Sequence, residues 1–126
     1  MKHSPPKPTD SELSVLQVLW RNGPSTVKAV QEALGKATGY TTALKFLQIM
    51  TEKGLVRRNE SKKAHVYEAC NSEDATQQQL VSGLLKKAFG GSSSKLVMQA
   101  LASERATPSE LEEIKKLVQQ LTREAR

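Results

Sequence analysis

A chain of 126 residues with a net charge of +6 has room for one domain core, or for a domain of about 70 residues with a helical appendage. Its single cysteine, Cys70, excludes a disulfide framework and a cysteine-built zinc site. No apolar run approaches the roughly 18 residues of a membrane span and no secretory stretch opens the chain, so a cytoplasmic protein with no stable membrane association is expected.

Met1 to Pro8, with three prolines and two lysines, reads as a flexible arm. Thr9-Asp10-Ser11-Glu12 then carries a capping-box signature, a threonine N-cap with glutamate three residues on. Leu13, Leu16, Val18, Leu19 and Trp20 give the first helix a broad buried face, and Asn22-Gly23-Pro24 stops it. Ser25 or Thr26 can cap a second helix, in which Val27, Val30 and Leu34 recur at helical spacing before Gly35 ends it. The third helix runs from near Tyr40 to Lys53, with Ala43, Phe46, Leu47 and Met50 inward and Gly54 as the C′ residue. Leu55 to Asn59 and His65 to Ala69 read as two short strands around a polar turn, and Cys70 at their end suits a small buried hydrophobe, with a reactive thiol as the alternative. Three helices and a hairpin within about sixty residues predict a winged helix-turn-helix over residues 9–70.

Residues 71–126 are of another kind. Asp74 to Phe89 is helical, Gly90-Gly91-Ser92-Ser93-Ser94 is a break, and Ser94 to about Ser103 forms a fifth helix. Thr107-Pro108-Ser109-Glu110 starts a sixth, combining an N-cap, proline at the first helical position and a capping glutamate. Leu111, Ile114, Val118 and Leu121 recur there in a 3-4-3 stripe, widened at Leu117. The whole is mainly α with a small β-hairpin: a winged helix followed by a helical dimerisation region. Its apolar residues Leu84, Leu85, Leu96, Val97, Leu101, Leu111, Ile114, Val118 and Leu121 would meet the same segment of a second chain in a homodimer. The alternative is that these helices fold back onto the first domain as a monomeric cap.

The charge is unevenly spread. Residues 1–70 carry eleven Lys or Arg against six Asp or Glu, whereas residues 71–126 carry eight against seven. Seven basic residues and two acidic ones fall between Lys36 and His65, a clustering that a phosphate backbone favours and that a solvated basic face also produces. A helix entering the major groove of double-stranded DNA needs an exposed, polar, acid-free start, and Tyr40, Thr41, Thr42 and Lys45 meet that demand. Either threonine could instead serve as the cap of the third helix. Arg57, Arg58, Lys62 and Lys63 suit phosphate contacts, which position a protein without reading sequence, and Lys28 and Lys36 are further candidates.

No catalytic constellation accompanies them. His3 lies in the arm and His65 in a strand without a nucleophile and acid beside it, and Gly90-Gly91 lacks the preceding strand of a phosphate loop. Tight metal-ligand spacings are absent too, so no enzyme, cofactor or metal is expected. Two rivals to a sequence-specific DNA binder stand open: a protein-interaction module with the winged helix as scaffold, and an architectural DNA binder without sequence preference.

An ordered set of short segments resembles one known family. It opens with Glu12-Leu13-Ser14-Val15-Leu16-Gln17-Val18-Leu19-Trp20, continues with Tyr40-Thr41-Thr42, Glu52-Lys53-Gly54-Leu55-Val56-Arg57-Arg58 and Val66-Tyr67, and closes with Leu84-Leu85-Lys86-Lys87-Ala88-Phe89-Gly90-Gly91, Leu96-Val97 and Ser109-Glu110-Leu111-Glu112-Glu113-Ile114. Over almost its whole length the chain is similar to the penicillinase and methicillin-resistance repressors and their copper-responsive relatives. The resemblance implies a homodimeric transcriptional repressor on an inverted-repeat operator, joined through intertwined C-terminal helices. In the β-lactam branch it also implies a membrane sensor-protease or its signalling pathway as partner, with cleavage of an Asn-Phe bond in the fifth helix. The matching pair here is Gln99-Ala100, and no cysteine follows Cys70 to form the Cys-x-Cys pairs of a copper-responsive branch. Ile49 stands where many members carry arginine, and Leu44 at a commonly polar position.

Overall fold

The computed structural model describes residues 6–60 and 65–126. Most of the expected arm (residues 1–5) and the turn that holds Lys62 and Lys63 therefore lie outside the described residues, while Pro8, at the end of the arm, is buried. The chain divides into two compact units, Met1–Ser82 and Gly83–Arg126.

In the first unit, α1 (Asp10–Asn22) begins with the capping box in full. Thr9 Oγ1 accepts from the Glu12 N–H at 3.2 Å, and the Glu12 carboxylate accepts from the Thr9 N–H at 2.9 Å, so two otherwise orphaned donors are satisfied. Val15, Leu16, Val18 and Leu19 form the buried stripe, with Leu13 and Trp20 packed at its margin. The Trp20 indole N–H reaches the Asn71 carbonyl at 3.0 Å and fastens α1 to the segment that follows the sheet.

Ser25–Thr26 form a short strand, β1, immediately before α2 (Val27–Leu34). Thr26 ends the strand and caps the helix, its Oγ1 accepting from the Ala29 N–H at 3.1 Å, whereas the Ser25 hydroxyl turns back to the Gly23 carbonyl. α3 (Tyr40–Lys53) ends at Gly54, whose left-handed φ of 81° lets its N–H reach the Met50 and Thr51 carbonyls and turns the chain sharply. Leu55, buried in that turn, leads into β2 (Val56–Asn59), and β3 (Val66–Ala69) returns antiparallel to it. His65, expected in the second strand, precedes β3 instead.

The hairpin is joined by β1 in a three-stranded antiparallel sheet of order β1-β3-β2. Ser25 pairs with Tyr67 and Thr26 with Val66, so β3 is the central strand. A single core gathers the α1 stripe with Val27 and Val30 of α2, Ala43, Leu47 and Met50 of α3, and Leu55, Val56 and Tyr67 of the sheet region. Leu47, Met50, Val15, Val30 and Val56 are essentially solvent-free, each worth about 1.5–3 kcal/mol of burial. That core fixes α3 by its inner face and leaves the outer face open.

The second unit takes the end of α4 (Glu73–Ala88), α5 (Ser93–Ser103) and α6 (Pro108–Glu124). Gly90 and Gly91, both at positive φ, make the bend after α4, and the Gly91 N–H bonds the Leu85 carbonyl at 2.8 Å. Ser92 caps α5, and a second capping box, Thr107 with Glu110, starts α6 with Pro108 in its first turn. Neither α5 nor α6 contains a buried residue.

Candidate nucleic-acid interface

At about 100° per residue, Thr41, Thr42, Lys45, Gln48, Ile49 and Glu52 share one face of α3, and all six are exposed. The N-cap is Gly39, in extended conformation and without a side-chain cap bond, so neither Thr41 nor Thr42 is spent on capping. Among the described residues no side-chain hydrogen bond or ion pair holds Thr41, Thr42, Lys45 or Gln48. Two turns of α3 thus present hydroxyls, an ammonium and an amide with no acid before Glu52. Gln48 is a residue that sequence reasoning missed; carrying the helical period one turn beyond Lys45 would have found it.

Tyr40, 53% exposed, opens the helix at the edge of a hollow shared with Thr26, Lys28, Leu44 and His65. The structure thereby brings Lys28, at the start of α2, beside the start of α3. His65, weighed in the sequence only for catalysis, belongs to the same surface. Leu44 packs against the core, and Lys36 is exposed in the turn between α2 and α3.

The arginines of the wing, expected to suit phosphate contacts, have carboxylate partners within the chain. As consecutive strand residues, Arg57 and Arg58 leave from opposite faces of the sheet. Arg57 lies opposite Glu68, and its Nε donates to the Glu68 carboxylate at 2.6 Å. Arg58 lies opposite Tyr67 and pairs with Glu60. Hydrogen bonding to Glu68 holds Arg57 above the usual guanidinium range, and Tyr67 followed by Glu60 does the same for Arg58. Both arginines are exposed, so these pairs are solvent-screened.

Behind α3 sits a more protected pair. Glu12, 4% exposed, receives the Lys53 ammonium at 2.9 and 3.1 Å while it caps α1. Burial works to raise its carboxyl, but the Thr9 backbone N–H and the Lys53 ammonium prevail and hold it below the ordinary value. The start of α1 is thereby clamped to the last turn of α3.

The apolar residues expected at a dimer contact divide into two degrees of exposure. Leu84, Val97, Leu111, Val118 and Leu121 are exposed, together with Met98 and Leu117, and Leu85, Leu96, Leu101 and Ile114 are half-buried. Among the described residues there is no group of three or more His, Cys, Asp or Glu placed to hold a metal, and no helix long and apolar enough to cross a membrane. Cys70, expected to be buried, is half-buried.

Three helices, a hairpin packed against them and an open polar face on the third helix define a winged helix-turn-helix of the DNA-binding class. The family model described as penicillinase repressor matches residues 8–120, and the chain belongs to that family, one of DNA-binding transcriptional repressors and not of enzymes. Among solved structures, monomeric BlaI of Bacillus licheniformis in complex with the blaP half-operator matches at 22% identity and a TM-score of 0.51, over 57% of this chain and 90% of that one. A MarR family protein from Bacillus stearothermophilus matches at 17% identity and a TM-score of 0.51, over 94% of this chain and 75% of that one. The homodimeric winged helix-turn-helix domain Mb0332 of Mycobacterium bovis matches at 25% identity and a TM-score of 0.48, over 64% of this chain and 71% of that one. No curated protein sequence matches the chain.

Proposed function

We propose that the protein is a homodimeric repressor that binds an inverted-repeat operator and blocks transcription by occupying promoter DNA. The observation that carries this reading is the unengaged face of α3, where Thr41, Thr42, Lys45 and Gln48 stand exposed without a hydrogen-bond or ion-pair partner among the described residues. In this reading α3 enters the major groove, with Thr42 and Lys45 toward base edges and Tyr40 and Thr41 at its mouth. Arg57 and Arg58 exchange their carboxylate partners for phosphates, and Lys62 and Lys63 of the wing turn add to that contact. BlaI on its half-operator is the precedent within the family for one head on one half-site.

Assembly is assigned to α4, α5 and α6. In the single chain Leu111, Val118 and Leu121 keep 46%, 54% and 52% of their surface exposed, a regular stripe that a second copy would cover. Two-fold symmetry then sets half-sites about one helical turn, or a small multiple, apart. A membrane sensor-protease or its signalling pathway is the upstream partner in this reading. Gln99-Ala100 lies within α5, so cleavage there requires that helix to open.

Footprinting on the DNA upstream of the protein's own gene, with a scrambled duplex as control, tests the reading. Protection of an ordered inverted repeat is the expected result. Equal protection of both duplexes would mean an architectural binder, and protection of neither would leave the fold as a scaffold for protein contacts.

A further inference from the structure

We propose that Ile49 reads a thymine methyl group in the operator half-site, an apolar contact inside an otherwise polar recognition face; the inference rests on the DNA-binding reading above. Ile49 keeps 36% of its surface exposed, while its apolar neighbours on α3, Leu44 and Phe46, pack against the core. It continues the row of Thr42 and Lys45 at steps of three and four residues, on the same open face and one turn deeper into the helix. A single exposed isoleucine means little elsewhere on a surface. Here it stands among polar side chains with no hydrogen-bond or ion-pair partner among the described residues, on the face that would enter the groove.

The chemistry narrows what it can meet. An sec-butyl side chain makes no hydrogen bond, so it cannot read a guanine or adenine edge, and against a phosphate it would only strip water. The one apolar group that the major groove displays is the C5-methyl of thymine. Seven residues separate Thr42 from Ile49, about 10 Å of helix or roughly three base steps if α3 lies along the groove. Ile49 therefore selects a thymine near the inner end of the contacted bases, while Glu52, next on that face, repels phosphate and ends the footprint.

Uracil differs from thymine only by that methyl group, which gives a direct test. The full-length protein first selects a duplex from a random-sequence library, and each thymine of the selected half-site is then replaced singly by deoxyuridine. One replacement should weaken binding of the unaltered protein by about fourfold, the effect of one buried methyl group. The same replacement should leave binding of Ile49→Ala unchanged, and Ile49→Val should fall between. If no replacement weakens the unaltered protein, the proposal fails whether or not the variants fold. An equal loss in Ile49→Ala also overturns it, because the sensitive methyl then meets another side chain. Failure to select any duplex would remove the DNA-binding reading itself, and the proposal with it.

Discussion

Arg57 and Arg58 show how a cluster in sequence can separate in space. Adjacent basic residues beside a polar turn read as one phosphate-binding pair, but the alternation of a strand sends them to opposite faces, and Glu68 and Glu60 already engage them. In the proposed contact with DNA a phosphate would replace each carboxylate partner, so each arginine would gain less than a free cation. The Arg57→Ala, Arg58→Ala double variant should still weaken binding to operator and random DNA by similar factors. Its plot of log binding constant against log salt should be shallower than that of the unaltered protein, by less than two phosphate contacts' worth. An unchanged slope and affinity would take the pair out of the interface. In the proposed function Thr42 and Lys45 stand on the other side of the distinction between positioning and reading. Alanine at each should cost more on the operator than on random DNA, with about 1–3 kcal/mol of discrimination lost for a good contact. Competitive titration against an operator library measures that difference, and equal losses on every duplex would assign both residues to the backbone. The polar start of α3 was legible because four side chains of the right chemistry follow one another. Gln48 escaped notice because it lies a turn beyond that cluster, and the arginines' carboxylate partners because Glu68 is close only through strand pairing.

Helix boundaries were the most legible elements, since caps are local chemistry. Thr9 with Glu12 and Thr107 with Glu110 each close a box within four residues, and Gly54 supplies its left-handed turn without help from elsewhere. β1 was not legible: two residues carry no periodicity, and Ser25-Thr26 becomes a strand only because β3 lies alongside. The same limit hid the second partner of Glu12. As a cap residue it needs only Thr9, but the packing of α1 on α3 brings Lys53 to 2.9 Å and makes it a clamp on α3. Glu12→Ala should cost roughly 1–3 kcal/mol, through the lost cap and the ion pair together. Glu12→Gln should cost less, because glutamine still accepts from the Thr9 N–H. The Lys53 part is moderated by solvent, since that side chain is 38% exposed. A carboxyl whose folded pKa lies below its unfolded value contributes stability above the unfolded value, and that contribution is lost as pH falls through the folded one. Thermal melts from pH 7 downward should therefore show an acid-side loss that Glu12→Gln lacks. Parallel curves for the two proteins would mean that Glu12 contributes no pH-dependent stability.

On the scale of the molecule, the order of three helices, hairpin and three further helices could be read from apolar spacing and punctuation alone. What spacing cannot say is what covers a stripe, because the same 3-4-3 pattern serves a fold-back and a dimer. In the proposed homodimer the cover over Leu111, Val118 and Leu121 is a second copy, and substitution tests it. Carboxylates in that contact, in a Leu111→Glu, Val118→Glu double variant, should leave a folded, monomeric protein with weak operator binding. Two tethered heads share a high local concentration that separate heads lack, so the affinity lost should be at least tenfold. A variant that stays dimeric and binds normally would show that α6 has another use. Two heads held on one operator through their C-terminal helices is a statement about stoichiometry, and sedimentation of the unaltered protein with its selected duplex, in excess scrambled DNA, reads it. Two chains should travel with each duplex, undisplaced by the scrambled competitor; a single chain per duplex, or complete displacement, would contradict a dimeric sequence-specific repressor.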